Sequence, residues 1–357
     1  MRIDLDEQDA RWRRREFLGG LALAGAAGLV GLRSAGLAAD LFGLRSTALA
    51  AEPPPETTTI RLIEPTSVCQ APLYVAEEFL RPEGFTKVEY VRTAGPALQG
   101  PLATGEVDIS ISFIGPTILG IERQTPVVIL AGVHVGCFEL FGTDRVQAIR
   151  DLKGKTVAVA RRGGPEAAFL VSIAAYVGLQ PFTDINWVMH PPEDSIQLLA
   201  EGKIDAFIAL PPISQELRAR KIGHVVVSTM MDRPWSQYFC CMVAGNREFV
   251  QKHPVATKRA VRAILKAAEV IPREPGRVAR LLVARGIAQR YDYALQSMRE
   301  IPYAKWRDYD PEDTVRFYAL RLHEGGMVRT SPHRIIAEGT DFRFIRELRR
   351  ELRRSSG

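Results

Sequence analysis

From Thr57 onward, short apolar strands alternate with helices, and this alternation restricts the fold more than any other feature of the sequence. The segment 126–133 is apolar throughout, as in a strand that is buried on both faces of a sheet. An alternating strand and helix order favours an α/β fold with a mainly parallel sheet. In this first unit the predicted strands are 59–63, 87–91, 107–113 and 126–133, and the predicted helices are 71–79, 96–103 and 117–122.

A second unit of the same kind begins near Ile149. The segment 201–207 repeats the order found at 104–110, namely helix end, glycine, charged residue, aliphatic residue, aspartate and strand. Glycine is common directly after a helix, so one such segment alone would not be informative. Its recurrence at corresponding places in the two units indicates two similarly built lobes. The second unit has predicted strands at 156–160, 185–189, 206–210 and 224–228 and helices at 165–176 and 195–200. After Asn246 the chain is predicted to be mostly helical.

The N-terminal segment has the three parts of an export signal. Arg14 and Arg15 form a twin-arginine pair, an apolar run covers 18–32, and 48–50 (ALA) is a small-residue cleavage site. Residues 1–50 are therefore predicted to be a signal peptide that engages the twin-arginine translocase and directs the protein to the periplasm. Two alternatives stay open, cleavage near residues 38–39 and an uncleaved anchor helix.

The basic overall charge does not indicate a nucleic-acid partner. The chain has a formal net charge of +6. Residues 1–50 carry seven arginines against six acids, and residues 343–354 carry six arginines against two glutamates, so the part between them is close to neutral. Apolar residues at 344, 345, 348 and 352 share one helical face. Residues 341–357 are therefore predicted to form a basic C-terminal helix or tail.

Four cysteines, at positions 69, 137, 240 and 241, are too few for a disulfide-based scaffold. None lies in a CxxC motif, and no metal-ligand spacing such as HExxH occurs. They are predicted to be buried thiols, with a Cys69–Cys137 disulfide as the alternative in an oxidising compartment. The sequence thus predicts neither a metal nor a cofactor.

Several short motifs, in this order and behind an export signal, resemble the solute-binding proteins of nitrate, sulfonate and taurine ABC transporters. That group shares its domain type with thiamine-pyrimidine precursor proteins. Each motif alone is weak, whereas the ordered set is specific. The motifs are 71–76 (APLYVA), 102–108 (LATGEVD), 151–159 (DLKGKTVAV), 202–207 (GKIDAF), 246–250 (NREFV) and 253–254 (HP).

The resemblance implies a two-lobed fold, the type II periplasmic-binding-protein fold, that closes on a ligand by a hinge motion. It implies lobe I at 56–145 plus 245–340 and lobe II at 146–244. The expected ligand is a small organic molecule or oxyanion of the nitrate, sulfonate or taurine class. The expected partner is the permease of an ABC importer, and the protein is expected to be a monomer.

In such a fold the ligand lies at the carboxyl ends of the parallel strands and at the N-termini of the helices that follow. Ser67 has helix capping as its alternative role, and Trp235 and Tyr238 have interlobe packing as theirs. Arg162 adds positive charge where the family has a small turn, and Glu166 offsets that charge. The candidate ligand-binding residues are Ser67, Gln70, Ser112, Phe113, Gly115, Thr117, Arg162, Gly163, Gly164, Pro211, Trp235 and Tyr238.

Two other functions are compatible with this fold. One is a pyrimidine-synthase-like enzyme, and the other is a periplasmic sensor module. No Ser/His/Asp or Cys/His arrangement stands out in the sequence, so the protein is predicted not to be an enzyme.

Overall fold

A computed structural model of the protein describes residues 52–92 and 100–355, and the predicted signal peptide at 1–50 lies outside them. The strands are β1 (Thr59–Ile63), β2 (Lys87–Val91), β3 (Ile109–Phe113), β4 (Val127–Val135), β5 (Glu139–Gly142), β6 (Thr156–Val159), β7 (Asn186–Met189), β8 (Ala206–Ala209), β9 (His224–Ser228) and β10 (Phe239–Asn246). They form two five-stranded sheets with the orders β2-β1-β3-β10-β4 and β7-β6-β8-β5-β9.

Fifteen α-helices connect and cover these sheets in the part of the chain that the structure describes. They are α1 (Pro72–Val75), α2 (Glu77–Leu80), α3 (Gly100–Thr104), α4 (Ile114–Glu122), α5 (Pro165–Tyr176), α6 (Pro181–Asp184), α7 (Pro192–Ala200), α8 (Ile213–Arg220), α9 (Arg247–Lys252), α10 (Pro254–Val270), α11 (Pro275–Ala284), α12 (Tyr291–Glu300), α13 (Pro311–Glu324), α14 (Pro332–Gly339) and α15 (Arg343–Ser355). Across residues 52–92 and 100–355, every helix is too short or too polar to cross a membrane.

The predicted two-lobed α/β fold with mainly parallel sheets is confirmed. In each sheet four strands share one direction and one strand opposes them, β10 in the first sheet and β5 in the second. Neither opposing strand was among the strands predicted from the sequence. Each directly follows a segment in which the chain passes from one sheet to the other, at 136–138 and at 229–238.

The repeated Gly-x-x-Asp motif has the same structural role in both lobes. Asp108 accepts a hydrogen bond of 2.8 Å from the backbone N–H of Arg61 in β1 and also pairs with its guanidinium. Asp205 accepts one of 2.8 Å from the backbone N–H of Thr156 in β6 and pairs with Arg145. Each aspartate therefore ties the start of one inner parallel strand to its neighbour.

The two crossing segments are bound to each other. Thr229 Oγ1 accepts hydrogen bonds of 2.9 Å from the backbone N–H groups of Cys137 and Phe138. Gly136 has a φ of +61°, and a Cβ there would lie 2.6 Å from Cα of Met230. Glycine is thus required where the two segments touch. The chain changes sheets here, several residues before the expected boundaries at 145/146 and 244/245.

The C-terminal helices contact both lobes. α10 packs on α1 and α2 of lobe I, whereas α13 packs on α4 of lobe I and on α5 of lobe II. The apolar side of α15 (Phe344, Ile345 and Leu348) is buried against α10 and β4. Residues after Asn246 therefore form a scaffold that holds the two sheets together.

Candidate functional site

A cavity of about 690 Å³, which we call the interlobe cavity, lies between the two sheets. Its walls include residues that directly follow four parallel strands: 66–68 after β1, Phe113 at the end of β3, 160–161 after β6 and 210–213 after β8. Carboxyl ends of parallel strands are where α/β sheets bind ligands, since backbone N–H groups of the next elements point there. Its volume is in the range of sites for organic small molecules.

A third wall comes from the C-terminal scaffold. Residues 287–290 and Tyr293, at the start of α12, line the cavity. The guanidinium of Arg290 lies 4.1 Å from the ring centre of Tyr293 and pairs with Asp292. This wall was not predicted, because nothing in the sequence of a helix more than 150 residues after Phe113 indicates that it packs against the strand ends.

Glu166 is a buried carboxyl group on the cavity wall, at the N-terminus of α5. Its Oε2 has no hydrogen-bond partner among the described residues. Burial raises the pKa of Glu166, and the nearby charge of Arg161 opposes that shift. Glu166 is thus a carboxyl group on the cavity wall with a buried acceptor oxygen that the described protein leaves unused.

Gly164 keeps room for this carboxylate and for Arg161. A Cβ at position 164 would lie 3.0 Å from Cγ of Arg161 and 3.2 Å from Oε2 of Glu166. Gly164 is the N-cap of α5, and Pro165 follows at the first helical position. The turn therefore places one acid and one base at the end of the helix that faces the cavity.

The charged groups on the cavity wall have both signs. Arg161 and Arg290 are positive, whereas Glu166, Glu193 and Glu216 are negative. Glu216 pairs with Arg220 outside the cavity. The wall thus lacks the excess of positive charge that would favour a simple oxyanion.

Of the twelve candidate residues, the structure places Ser67, Phe113 and Pro211 on the wall of the interlobe cavity. Phe113 also belongs to an aromatic row, because its ring lies 5.7 Å from Phe138, which stacks on Phe169 at 4.9 Å. This row continues from the cavity into the crossing segment. Whether these residues contact a ligand stays a prediction.

Three of the polar candidate residues form hydrogen bonds within the protein and do not border the interlobe cavity. Gln70 donates to the carbonyl of Ile111 at 2.7 Å and accepts from the backbone N–H of Thr66, which holds the loop after β1. Ser112 is buried with its Oγ 3.2 Å from that of Ser110. Thr117 Oγ1 donates to the carbonyl of Phe113 at 2.8 Å.

The three candidate glycines, Gly115, Gly163 and Gly164, lie at different places relative to the interlobe cavity. At Gly115 a Cβ would lie 2.5 Å from Cβ of Ala168, so the close approach is that of α5 to α4. Arg162 and Gly163 border a separate cavity of about 120 Å³, together with Phe182 and Trp187. A bulky side chain at Gly163 would therefore not fill the interlobe cavity, although Gly164, one residue later, contacts its wall.

Trp235 and Tyr238 pack between elements and do not border the interlobe cavity. Trp235 is buried edge-on against Tyr176, at 5.2 Å between ring centres. Tyr238 stacks on Phe317 of α13 at 4.0 Å. Trp235 joins the return crossing to α5 of lobe II, and Tyr238 joins it to the scaffold. Both therefore have a packing role of the kind that was the alternative to ligand contact.

All four cysteines are buried and free. The alternative of a Cys69–Cys137 disulfide is therefore not the arrangement found. The Sγ atom of Cys137 lies 2.7 Å from that of Cys240.

Solved structures with the same fold include periplasmic sulfonate-binding and nitrate-binding proteins. The periplasmic sulfonate-binding protein SsuA from Methylobacillus flagellatus KT is 21% identical, with 83% of this chain and 94% of that chain covered and a TM-score of 0.63. The periplasmic nitrate-binding protein NrtA from Synechocystis PCC 6803 is 17% identical, with 84% and 90% covered and a TM-score of 0.68. The alkanesulfonate-binding protein SsuA from Xanthomonas axonopodis pv. citri, bound to MOPS, is 16% identical, with 82% and 100% covered and a TM-score of 0.64.

No curated protein sequence matches the chain. The model of the NMT1-like family matches residues 51–282. That range contains both sheets and most of the interlobe cavity. The chain, which has the fold of periplasmic solute-binding proteins, therefore belongs to the NMT1-like family.

Proposed function

We propose that the protein is the exported solute-binding component of an ABC importer and that its ligand is a small organic solute with a hydrogen-bond-donating group. The main support is the interlobe cavity, with residues of both lobes around it and the buried, unpartnered oxygen of Glu166 on its wall. An ammonium or amino group is the chemistry that fits such an acceptor. The binding role is proposed to be without catalysis.

The charges on the wall also support a choice within the expected solute class. Taurine carries an ammonium group, which can donate a hydrogen bond to the carboxylate of Glu166. It also carries a sulfonate group, whose negative charge the guanidinium of Arg161 can balance. Nitrate has no donor group and would leave most of a cavity of about 690 Å³ unfilled. We therefore propose amino-bearing organic solutes, such as aminosulfonates or aminopyrimidines, ahead of simple oxyanions.

The experiment is a thermal-shift screen of the purified protein with taurine, methanesulfonate, nitrate and an aminopyrimidine. A bound solute at about 100 times its dissociation constant stabilises the folded state by about 2.7 kcal/mol. We expect a shift with an amino-bearing solute and none with nitrate. Turnover of one of these compounds, without any shift, would instead support the enzyme alternative.

Export and transport are tested in cells. We expect the protein in the periplasmic fraction, and we expect substitution of both Arg14 and Arg15 by lysine to keep it in the cytoplasm. Uptake of the stabilising solute should require both this protein and an ABC permease. Normal uptake without the protein, together with a signalling response that depends on it, would favour the sensor alternative.

Replacing Glu166 with glutamine is expected to weaken binding of the amino-bearing solute by about 10- to 100-fold, since a hydrogen bond to a charged group contributes about 1.5–3 kcal/mol. Titration calorimetry measures this change. Glu193→Gln is the matched control, because Glu193 borders the same cavity but is exposed, and it should change the affinity little. Equal effects of the two substitutions would contradict the role of Glu166.

The same substitution is expected to stabilise the ligand-free protein near neutral pH. Because burial raises the pKa of Glu166, its contribution to stability is fully present below the unfolded value of about 4.3 and is lost as the pH rises through the folded value. The glutamine side chain does not titrate, so it adds no such pH dependence to the stability of Glu166→Gln. The difference in melting temperature between Glu166→Gln and the wild type should therefore grow from pH 4 towards pH 8. A constant difference would show that Glu166 does not titrate in the cavity.

A further inference from the structure

Four cysteines and a histidine from distant parts of the chain meet in one buried cluster. Cys69 follows β1, His134 lies near the end of β4, Cys137 is in the first crossing segment, and Cys240 and Cys241 belong to β10. Each of the five side chains is at most 1% exposed. We call these five residues the thiol–histidine cluster.

Within the cluster, the potential ligand atoms are close enough to share an ion. Those of Cys69, His134 and Cys241 all lie within 4.8 Å of one another, and so do those of Cys137, Cys240 and Cys241. The register of β10 against β4 shifts on both sides of Cys241. Such an irregularity re-aims side chains, which explains how two consecutive strand residues reach the same cluster.

The orientation of His134 is fixed from outside the cluster. Its Nδ1 lies 3.0 Å from the carbonyl oxygen of Gly136, and because a carbonyl only accepts, Nδ1 carries the proton. Its Nε2 is therefore the nitrogen with the free lone pair. Nε2 is buried and has no hydrogen-bond partner among the described residues. Histidines that bind metals typically donate the other ring N–H to a backbone carbonyl in this way.

Neighbouring residues hold the histidine ring and the loop of Cys69 in place. The ring of Tyr303 meets that of His134 edge-on at 5.0 Å, and its hydroxyl donates to the carbonyl of Val68 at 3.1 Å. Tyr303 is fully buried. The donor atoms are thus positioned by the surrounding core.

We propose that the thiol–histidine cluster is a transition-metal site for Zn²⁺, with Cys69, His134 and Cys241 as ligands and the fourth thiolate supplied by the Cys137–Cys240 pair. Three thiolates and one imidazole form one of the usual ligand sets of structural zinc. Zn–S bonds of about 2.3 Å place tetrahedral sulfur atoms roughly 3.8 Å apart, which lies within the 4.8 Å limit on the spacing of the ligand atoms of Cys69, His134 and Cys241. The Sγ atoms of Cys137 and Cys240 are only 2.7 Å apart, so one of the two, and not both, serves as the fourth ligand. Each thiol that binds releases its proton.

The position of the site gives the metal a structural role next to the solute. Cys69 Sγ lies 3.1 Å from Oγ of Ser67, which borders the interlobe cavity. Cys137 belongs to one crossing segment, and Cys241 comes shortly after the other. A bound ion would connect both crossing segments to the loop after β1. The proposal does not depend on the identity of the solute.

The test uses the full chain, purified and kept reduced, freed of metal with a chelator and then titrated with Zn²⁺. We expect one Zn²⁺ per chain and a higher melting temperature with Zn²⁺ than without it. Co²⁺ in place of Zn²⁺ should give thiolate-to-cobalt charge-transfer bands and the intense visible absorption of tetrahedral cobalt. Absence of uptake by the reduced wild type, or only the weak spectrum of six-coordinate cobalt, would overturn the proposal independently of any variant.

Cys69→Ser, His134→Gln and Cys241→Ser should each weaken Zn²⁺ binding by at least about 100-fold, since loss of a residue that only hydrogen-bonds to a metal ligand already costs about 10- to 100-fold. His224→Gln is the matched control. His224 also has a buried Nε2 without a partner among the described residues, but it lies on β9 and outside the cluster. Unchanged zinc affinity in the three variants, or an equal loss in the control, would contradict the site.

Discussion

Replacing Gly132 with valine is expected to destabilise the protein by about 3 kcal/mol, because the new side chain has no room in the first sheet. A Cβ at Gly132 would lie 2.3 Å from two ring atoms of Phe239. Phe239 is fully buried at the start of β10, and its backbone N–H is bonded to Thr314 Oγ1, so the ring cannot move aside cheaply. Chemical denaturation of the ligand-free protein measures the change.

The control for this prediction is Gly276→Ala in α11. There the nearest atom to a new Cβ is the hydroxyl oxygen of Tyr291 at 3.3 Å, and alanine favours the helix by up to about 1 kcal/mol. Adding Phe239→Ala to Gly132→Val should cost less than the sum of the two single changes, since the clash is then gone. Additive costs would show that the clash with Phe239 is not the cause.

Replacing Arg218 with alanine is expected to destabilise the protein by about 3–5 kcal/mol at neutral pH. Arg218 in α8 pairs with Glu139 of β5 and with Glu300 of α12. The side chain of Glu139 is only 3% exposed, and removal of its partner leaves a buried charge without compensation. Gln215 also donates to Glu300 at 2.9 Å, so this network joins lobe II to the helix that begins at the cavity wall.

The pH dependence separates this mechanism from a loss of packing. Burial already raises the pKa of Glu139, against the effect of Arg218. Below about pH 4.3 the carboxyl group is protonated in both the folded and the unfolded state, so the cost of Arg218→Ala should shrink there. Arg220→Ala on the same helix breaks only an exposed pair with Glu216 and should cost at most about 0.5 kcal/mol. A cost that is the same at pH 4 and pH 7 would rule out the buried charge as the cause.

Hydrophobic periodicity predicted the parallel strands well. The predicted strands at 59–63, 87–91 and 224–228 coincide with β1, β2 and β9, and those at 107–113 and 126–133 differ from β3 and β4 by at most two residues at either end. Local pattern is sufficient there because each strand pairs in an ordinary α/β unit. It failed for β5, which has four residues and lies between two turns, and for β10, whose cysteines and glycine resemble a connecting segment.

The sequence predicted the loops that border the interlobe cavity better than the individual residues on its wall. The loops after β1, β6 and β8 and the last residue of β3 do border the interlobe cavity, since parallel strands bring their carboxyl ends to one edge. Gln70, Ser112 and Thr117 lie at or beyond the ends of the same strands, but their side chains form hydrogen bonds inside the protein. Glu166 was seen in the sequence only as an offset to neighbouring arginines, because burial, which gives its carboxylate an unpartnered oxygen, is not visible locally.

The alternation of strands and helices, the two Gly-x-x-Asp motifs and the ordered short motifs determined the two-lobed fold from the sequence alone. Packing between segments far apart in the chain decided the rest. It closed the cavity with residues 287–290, and it collected Cys69, His134 and Cys241 into one cluster. The physical reason is that periodicity and turn chemistry act between near neighbours, whereas the sites consist of side chains that only the folded sheets and the two crossing segments bring together.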